Sequence, residues 1–353
     1  MNLQWQKYPH NARKLFKLTI PIFISQLSAS GMGLADIVMA GLVSDDDVSA
    51  IAVSNSIYFP LFLFVLGLLN AITPTVSYLN GSNQRHLIAH QVRQGFWLVL
   101  TMSIPLILIF CNSHLILDYM HTPKSFSSKS QQYLMIMAIG IVPALLAINL
   151  RCMNDGLSNP KPAMIITFFG LVLNIPLNYI FIFGKFGLPE MGSVGCGIAT
   201  AIVNWVMFLM MLYYCYTNKS QRDIGLFSKW MEMPSGQTLL KICKLGLPIG
   251  FATFTEVMLF STSALFLSPL GAQVVASHQA ALQTSSLFFM IPMSFSIATT
   301  IVIGQTLGQK RLDDAKVLSY HALLTGLVFA TMAAVVIVLL DQYIPLAFTR
   351  DPI

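Results

Sequence analysis

Residues 14–41 read KLFKLTIPIFISQLSASGMGLADIVMAG, an apolar run that opens on Lys14 and Lys17 and holds a single carboxylate, Asp36. About 20 apolar residues cross the hydrocarbon of a bilayer as a helix, whereas the apolar region of a secretory signal is only about 7 to 15 residues long. The run therefore predicts a first span that stays in the protein. Similar runs, bounded by polar or Gly/Pro-rich breaks, predict further spans near residues 48–79, 94–111, 131–152, 161–183, 194–217, 241–268, 273–307 and 316–340. Composition agrees: 55% of the 353 residues are hydrophobic and 10% are charged, and the mean hydropathy is +0.70. A soluble domain carries about 25% charged residues. The expected class is an all-α integral membrane protein of about nine transmembrane helices, with the lipid bilayer as its solvent.

The net charge of +6 comes from basic residues dispersed over the loops, so it reads as a topology signal and not as a nucleic-acid surface. With the N-terminus inside, the inside segments hold Lys7, Arg13, Lys14, Lys17, Arg85, Arg93, Arg151, Lys161 and the basic residues between Lys219 and Lys244, followed by Lys310, Arg311 and Lys316. The outside segments keep only Lys124, Lys129, Lys185 and Arg350. A cytoplasmic N-terminus follows. The five cysteines stand singly in or beside apolar runs and read as small buried apolar residues, with no disulfide framework or zinc site.

Lys14-Leu-Phe-Lys-Leu-Thr-Ile-Pro21, before the first span, is echoed by Lys241-Ile-Cys-Lys-Leu-Gly-Leu-Pro248 before the seventh. Ser77-Tyr-Leu-Asn-Gly81 has a weaker counterpart in Gln305-Thr-Leu-Gly-Gln309. An even number of spans separates the copies, which predicts parallel repeats related by an axis along the membrane normal. The expected organisation is a six-helix bundle over residues 1–217, a cytoplasmic linker over 218–240 and a partial second bundle over 241–353. By the repeat, the second bundle is short of roughly three helices.

Of the fourteen acidic residues, only Asp36 and Glu256 lie well inside apolar spans. A charge at the bilayer centre costs about 2.5 to 3.5 kcal/mol on insertion scales, so an intramembrane carboxylate points to function. At about 1.5 Å per residue, Asp36, Asn178 on the fifth span and Thr200 on the sixth all fall roughly 8 to 9 Å from the outer ends of their helices. Asn174 and Asn178 share a helix face, and Pro176 between them loosens the backbone ladder. A carboxylate among amide and hydroxyl oxygens suits a proton relay or a small hard cation such as Na+, against the plainer reading of polar residues that join helices. Glu256 lies near the midplane of the seventh span and suits an ion or the positive group of a substrate. Phe288 and Phe289 on the eighth could stack on a cation.

Other candidates read as structural. His86 and His90 have i, i+4 spacing in a basic segment with no carboxylate close in sequence, which favours a solvated helix face over a metal site. Asp45, Asp46 and Asp47 read as a solvated loop or a helix cap rather than a Ca2+ site. The chain has no P-loop, GxSxG or HExxH, so neither bound ATP nor enzyme chemistry is expected.

Gly31-Met-Gly-Leu-Ala-Asp36, Leu173-Asn-Ile-Pro-Leu-Asn178, Gly192-Ser-Val-Gly-Cys-Gly-Ile-Ala-Thr200 and Phe254-Thr-Glu-Val-Met-Leu-Phe260 together resemble the NorM-like branch of the multidrug and toxic compound extrusion (MATE) family. The resemblance covers essentially the whole chain. It implies two bundles around a central cleft in a bacterial inner membrane, monomeric when full length, that expel small cationic drugs or dyes in exchange for Na+ or H+ and need no further cofactor. It assigns Asp36, Asn174, Asn178 and Thr200 to ion or proton coupling in the first bundle. Glu256 and Phe289 go to substrate or ion in the second, with Na+ placed at Asp36 or Glu256. The family's second-bundle acid on helix 10 would fall after Ile353. A lipid-linked oligosaccharide flippase of the same superfamily and an inactive transporter fragment are the competing readings.

Overall fold

The computed structural model describes residues 8–120, 123–228, 232–267 and 272–339. Lys7, Arg350 and the rest of the stretch after 339 lie outside them, so those parts of the expected topology are not described. The chain is built from helices α1 (Tyr8–Gly41), α2 (Asp45–Asn70), α3 (Ile72–Gly81), α4 (Ile88–Cys111), α5 (Ser113–Tyr119), α6 (Lys124–Gly156), α7 (Lys161–Ile182), α8 (Ser193–Thr217), α9 (Gly236–Leu267), α10 (Ala272–Gly308) and α11 (Leu312–Leu339). Among the described residues nine spans, with α2 and α3 forming one of them, are long and apolar enough to cross a membrane. Backbone groups in hydrocarbon have no water to bond, and a helix satisfies them within its own segment.

Several helices start before their apolar runs. α6 begins at Lys124, through a polar Ser/Gln stretch, where hydropathy places the start near 131. The hydrogen-bonded ladder continues into the headgroup region, where polar side chains are welcome, so hydropathy marks the hydrocarbon edge and not the helix end. The run 48–79 is interrupted at Ala71, which caps both α2 and α3. The short helix α5 left no mark in the hydropathy.

The face that carries the start of α1 also carries the turns after α3, α6, α8 and α10; it is called the N-terminal face below. Helices α1 to α8 pack into one bundle whose core includes Leu68, Ile72, Phe110, Leu134, Ile141 and Leu145, all essentially inaccessible. Helix α9 packs along α2, while α10 packs against α1 and α3. Leu15, Leu18 and Ile22 of α1 form a second apolar cluster with Phe295, Ala298, Ile301 and Val302 of α10 and Leu318 of α11.

The two halves also meet at the N-terminal face, through polar groups and closely packed glycines. Ser77 Oγ donates to the Ile301 carbonyl, and Gln305 Nε2 donates to Ser158 Oγ at 2.7 Å. At Gly81 a Cβ would overlap the Gln305 carbonyl oxygen, and at Gly308 a Cβ would overlap the Tyr78 carbonyl oxygen. The separation that relates Pro21 to Pro248 also relates Tyr78 to Gln305 and Gly81 to Gly308. The repeated segment therefore meets its own copy reciprocally, as a two-fold axis between the halves requires. This places Tyr78, and not Ser77, in register with Gln305.

The segment after α8 is fastened to the first bundle rather than hanging free. His90 Nδ1 lies 2.7 Å from Glu232 Oε1 and His90 Nε2 lies 2.9 Å from Thr238 Oγ1. Arg93 Nε sits 3.2 Å from Glu232 Oε2, and Trp97 Nε1 donates to the Glu232 carbonyl at 2.7 Å. The expectation that His90 sits on a solvated face without a carboxylate is corrected: the acid comes from far along the sequence, where spacing rules do not reach.

Candidate functional site

Three helices bring their polar residues together inside the first bundle. Near the end of α1 that is remote from the N-terminal face, Asp36 is 6% exposed, and Asn174 and Asn178 of α7 are fully buried. The i, i+4 pair points both amides at one carboxylate oxygen: Asn174 Nδ2 donates to Asp36 Oδ1 at 3.1 Å and Asn178 Nδ2 donates to the same atom at 2.7 Å. Thr200 Oγ1 of α8 donates to Asp36 Oδ2 at 3.1 Å. Asn178 Nδ2 also reaches Asn174 Oδ1 at 3.1 Å. The buried Cys196 thiol, one turn before Thr200, lies beside the same carboxylate. Its part was missed in the sequence, where a cysteine in an apolar run reads as filler.

All these donors are neutral. Among the described residues no Lys, Arg or His pairs with Asp36, and Asn178 Oδ1 is buried with no hydrogen-bond partner. A buried carboxylate that lacks a cationic side chain must take a proton or a cation from outside to be neutralised. The orphaned oxygen belongs to an amide that touches this carboxylate, and it is an oxygen of the kind hard cations choose.

A second buried aspartate sits nearby in sequence and was not foreseen as such. Asp47 is 1% exposed and is not part of a solvated turn. Ser44 caps α2 through the Asp47 N–H at 3.1 Å, while the Asp47 carboxylate caps a different helix: Ser193 N and Ser193 Oγ donate to its Oδ1 at 2.8 and 2.7 Å. Ser44 Oγ and Lys129 Nζ donate to Oδ2 at 2.6 and 2.9 Å. Gly192, at φ +52, lies so close that a Cβ there would overlap the carboxylate. The clasp holds the first turn of α8, and Cys196 and Thr200 follow within two turns. Only the cap was legible in the sequence; its target, far downstream, was not.

Glu256 of α9 is in a different setting. It is exposed, and it lines an open cavity of about 590 Å³ with Pro248, Phe251, Ala252, Thr255 and Leu259. Among the described residues no hydrogen bond or ion pair reaches it. Phe289 on α10 is half exposed and is not among the residues that line this cavity. The structure thus gathers Asp36, Asn174, Asn178 and Thr200 into one site and leaves Glu256 and Phe289 apart.

Multiple membrane spans in two halves, a buried carboxylate with no cationic partner among the described residues and an open cavity lined by a second carboxylate are features of a secondary transporter. The MatE family model matches residues 21–180 and 248–353. The chain is 81% identical over 353 residues to a probable multidrug resistance protein NorM of Haemophilus ducreyi, covering 100% of this chain and 76% of that one. It is 47% identical over 348 residues to the multidrug resistance protein MdtK of Yersinia enterocolitica, covering 98% of this chain and 76% of that one. Among solved structures, an outward-facing conformation of a multidrug resistance MATE family transporter matches with a TM-score of 0.85 at 19% identity, over 96% of this chain and 74% of that one. The eukaryotic MATE transporter AtDTX14 matches with a TM-score of 0.85 at 19% identity, over 94% of this chain and 73% of that one. This chain belongs to the MatE family.

Proposed function

We propose that the protein exports small cationic organic drugs and dyes across a bacterial inner membrane in exchange for Na+ or H+, with its N-terminus in the cytoplasm. The observation that carries this reading is Asp36, buried among neutral donors with no cationic partner among the described residues. Such a group is stable when it holds an ion and costly when it does not. Ion arrival and departure can therefore bias two arrangements of the halves. The relatives' names, which speak of multidrug resistance, support an organic substrate.

In this reading the open acidic cavity receives the substrate. Glu256 attracts a positive group and Phe251, exposed beside it, offers an apolar face. Phe289 supplies a cation–π surface if the halves bring it in.

Purified protein in liposomes loaded with a cationic dye tests the proposal. Efflux should follow an imposed Na+ or proton gradient and should vanish in Asp36→Asn with the same amount of folded protein. Gradient-independent efflux, or normal efflux by that variant, would remove Asp36 from the coupling role. The gradient that drives efflux names the ion.

A further inference from the structure

On the N-terminal face, Lys14, Lys17 and Leu18 of α1 and Ser158, Asn159, Pro160 and Lys161 around the start of α7 enclose a cleft of about 240 Å³. All three lysines are exposed, and no carboxylate pairs with any of them among the described residues. Elsewhere on this face four arginines are matched: Arg85 with Asp223 at 2.9 Å, Arg93 with Glu232 at 3.2 Å, Arg151 with Asp155 at 3.4 Å and Arg311 with Asp314 at 2.7 Å. Arg311 adds its positive field to that of Lys14. Lys219, Lys241 and Lys244 also lack a carboxylate among the described residues, but they lie outside this cleft.

The wall opposite α1 is tied down by hydrogen bonds. Ser158 holds φ at +60 and its hydroxyl accepts from Gln305 at 2.7 Å. Asn159 Nδ2 donates to the Tyr214 hydroxyl at 2.8 Å. Next to the wall, α7 starts at Pro160 without a side-chain cap. Three ammonium groups collected around one fixed cleft with no acid repel one another unless an anion joins them, and lysine ammonium groups suit phosphate oxygens. Beyond the cleft the same two helices carry exposed apolar side chains, Ile20 on α1 and Ile165 and Phe168 on α7.

We propose that this cleft binds the phosphate of an anionic phospholipid headgroup, with the acyl chains lying along Ile20, Ile165 and Phe168. A free phosphate would use the lysines but gain nothing from that apolar surface. Basic pockets at the membrane boundary, with apolar helix surface below, have the chemistry that selects anionic headgroups. The Ser158–Gln305 bond makes the cleft wall part of the contact between the halves, so a bound headgroup would sit against the closed N-terminal face.

Full-length chain in neutral detergent, titrated with phosphatidylglycerol or phosphatidylcholine and read by native mass spectrometry, tests the proposal. Phosphatidylglycerol should be retained preferentially, and Lys14→Gln/Lys17→Gln/Lys161→Gln should weaken its retention by at least about tenfold, given roughly fivefold for each lysine near a headgroup. The matched variant Lys219→Gln/Lys241→Gln/Lys244→Gln should retain it. Equal loss in the two triple variants would show a diffuse surface charge effect and overturn the site. Inorganic phosphate binding with the same lysine dependence, and phosphatidylglycerol binding no more tightly, would overturn the lipid assignment. Lys161→Gln alone, which removes one exposed charge, reads the same preference if the triple variant fails to fold, and an unchanged preference there would count against the site.

Discussion

Asp36 and Asp47 lie close together in sequence, both buried near the same end of the first bundle, yet they are answered in opposite ways. Asp47 has a lysine at 2.9 Å and a helix N-terminus at 2.8 Å. Its charge is balanced within the protein. Among the described residues Asp36 has only amides and a hydroxyl as hydrogen-bond donors. Its donors orient the carboxylate but leave its charge for something mobile to balance. Burial alone does not distinguish a structural acid from a functional one; the charge of the partners does.

The comparison breaks most plainly if the two residues can be exchanged in effect. Asp36→Asn should reduce gradient-driven efflux by at least about tenfold while melting temperature and membrane content stay near those of the parent, because the change removes the titratable charge and keeps the shape. Asp47→Ala should do the reverse. It leaves the first turn of α8 without its acceptor and Lys129 without its partner, and should cost about 2 kcal/mol of stability, read as a lowered unfolding midpoint in detergent. The half-exposed lysine places that figure below the cost of breaking a fully buried pair. If Asp47→Ala instead retained full stability and lost ion dependence, the distinction drawn between the two aspartates would be wrong.

Two milder changes sharpen it. Asn178→Ala removes the 2.7 Å donor to Asp36 and the orphaned oxygen together, and should raise the half-saturating concentration of the coupling ion by roughly tenfold, the scale of one lost hydrogen bond to a charged group. Unchanged ion dependence would exclude Asn178 from the ion site. Glu256→Gln should weaken efflux of cationic dyes by about threefold, since an exposed carboxylate interacts through a high dielectric. Neutral substrates should be little affected; equal loss for both classes would move Glu256 from substrate attraction to ion coupling.

Much of this was written in the sequence, for identifiable reasons. Hydrocarbon admits a narrow set of residues, so the spans stand out as runs, and a carboxylate within a run is conspicuous. Helical periodicity then placed Asn174 and Asn178 on one face, and depth along each helix placed Asp36 and Thr200 at one level. Pairings between distant polar segments were not legible. Glu232 reaches His90 and Asp47 reaches Ser193 through folding of the chain, and nothing near either residue announces its partner. Cys196 was hidden because a thiol serves equally as filler and as donor. Phe289 shows the opposite case, where residue type suggested a shared space with Glu256 that the cavity around Glu256 does not include.

The reciprocal contact of Gly81 on Gln305 and Gly308 on Tyr78 resembles a keyed joint machined without clearance. Because each half presents to the other a copy of the same surface, a shift that loosens one side of the joint loosens the other by an equal amount. There is no partial seating available: the faces mesh or they part. A joint made this way holds by its fit, and a side chain larger than glycine at either edge would force the two faces apart.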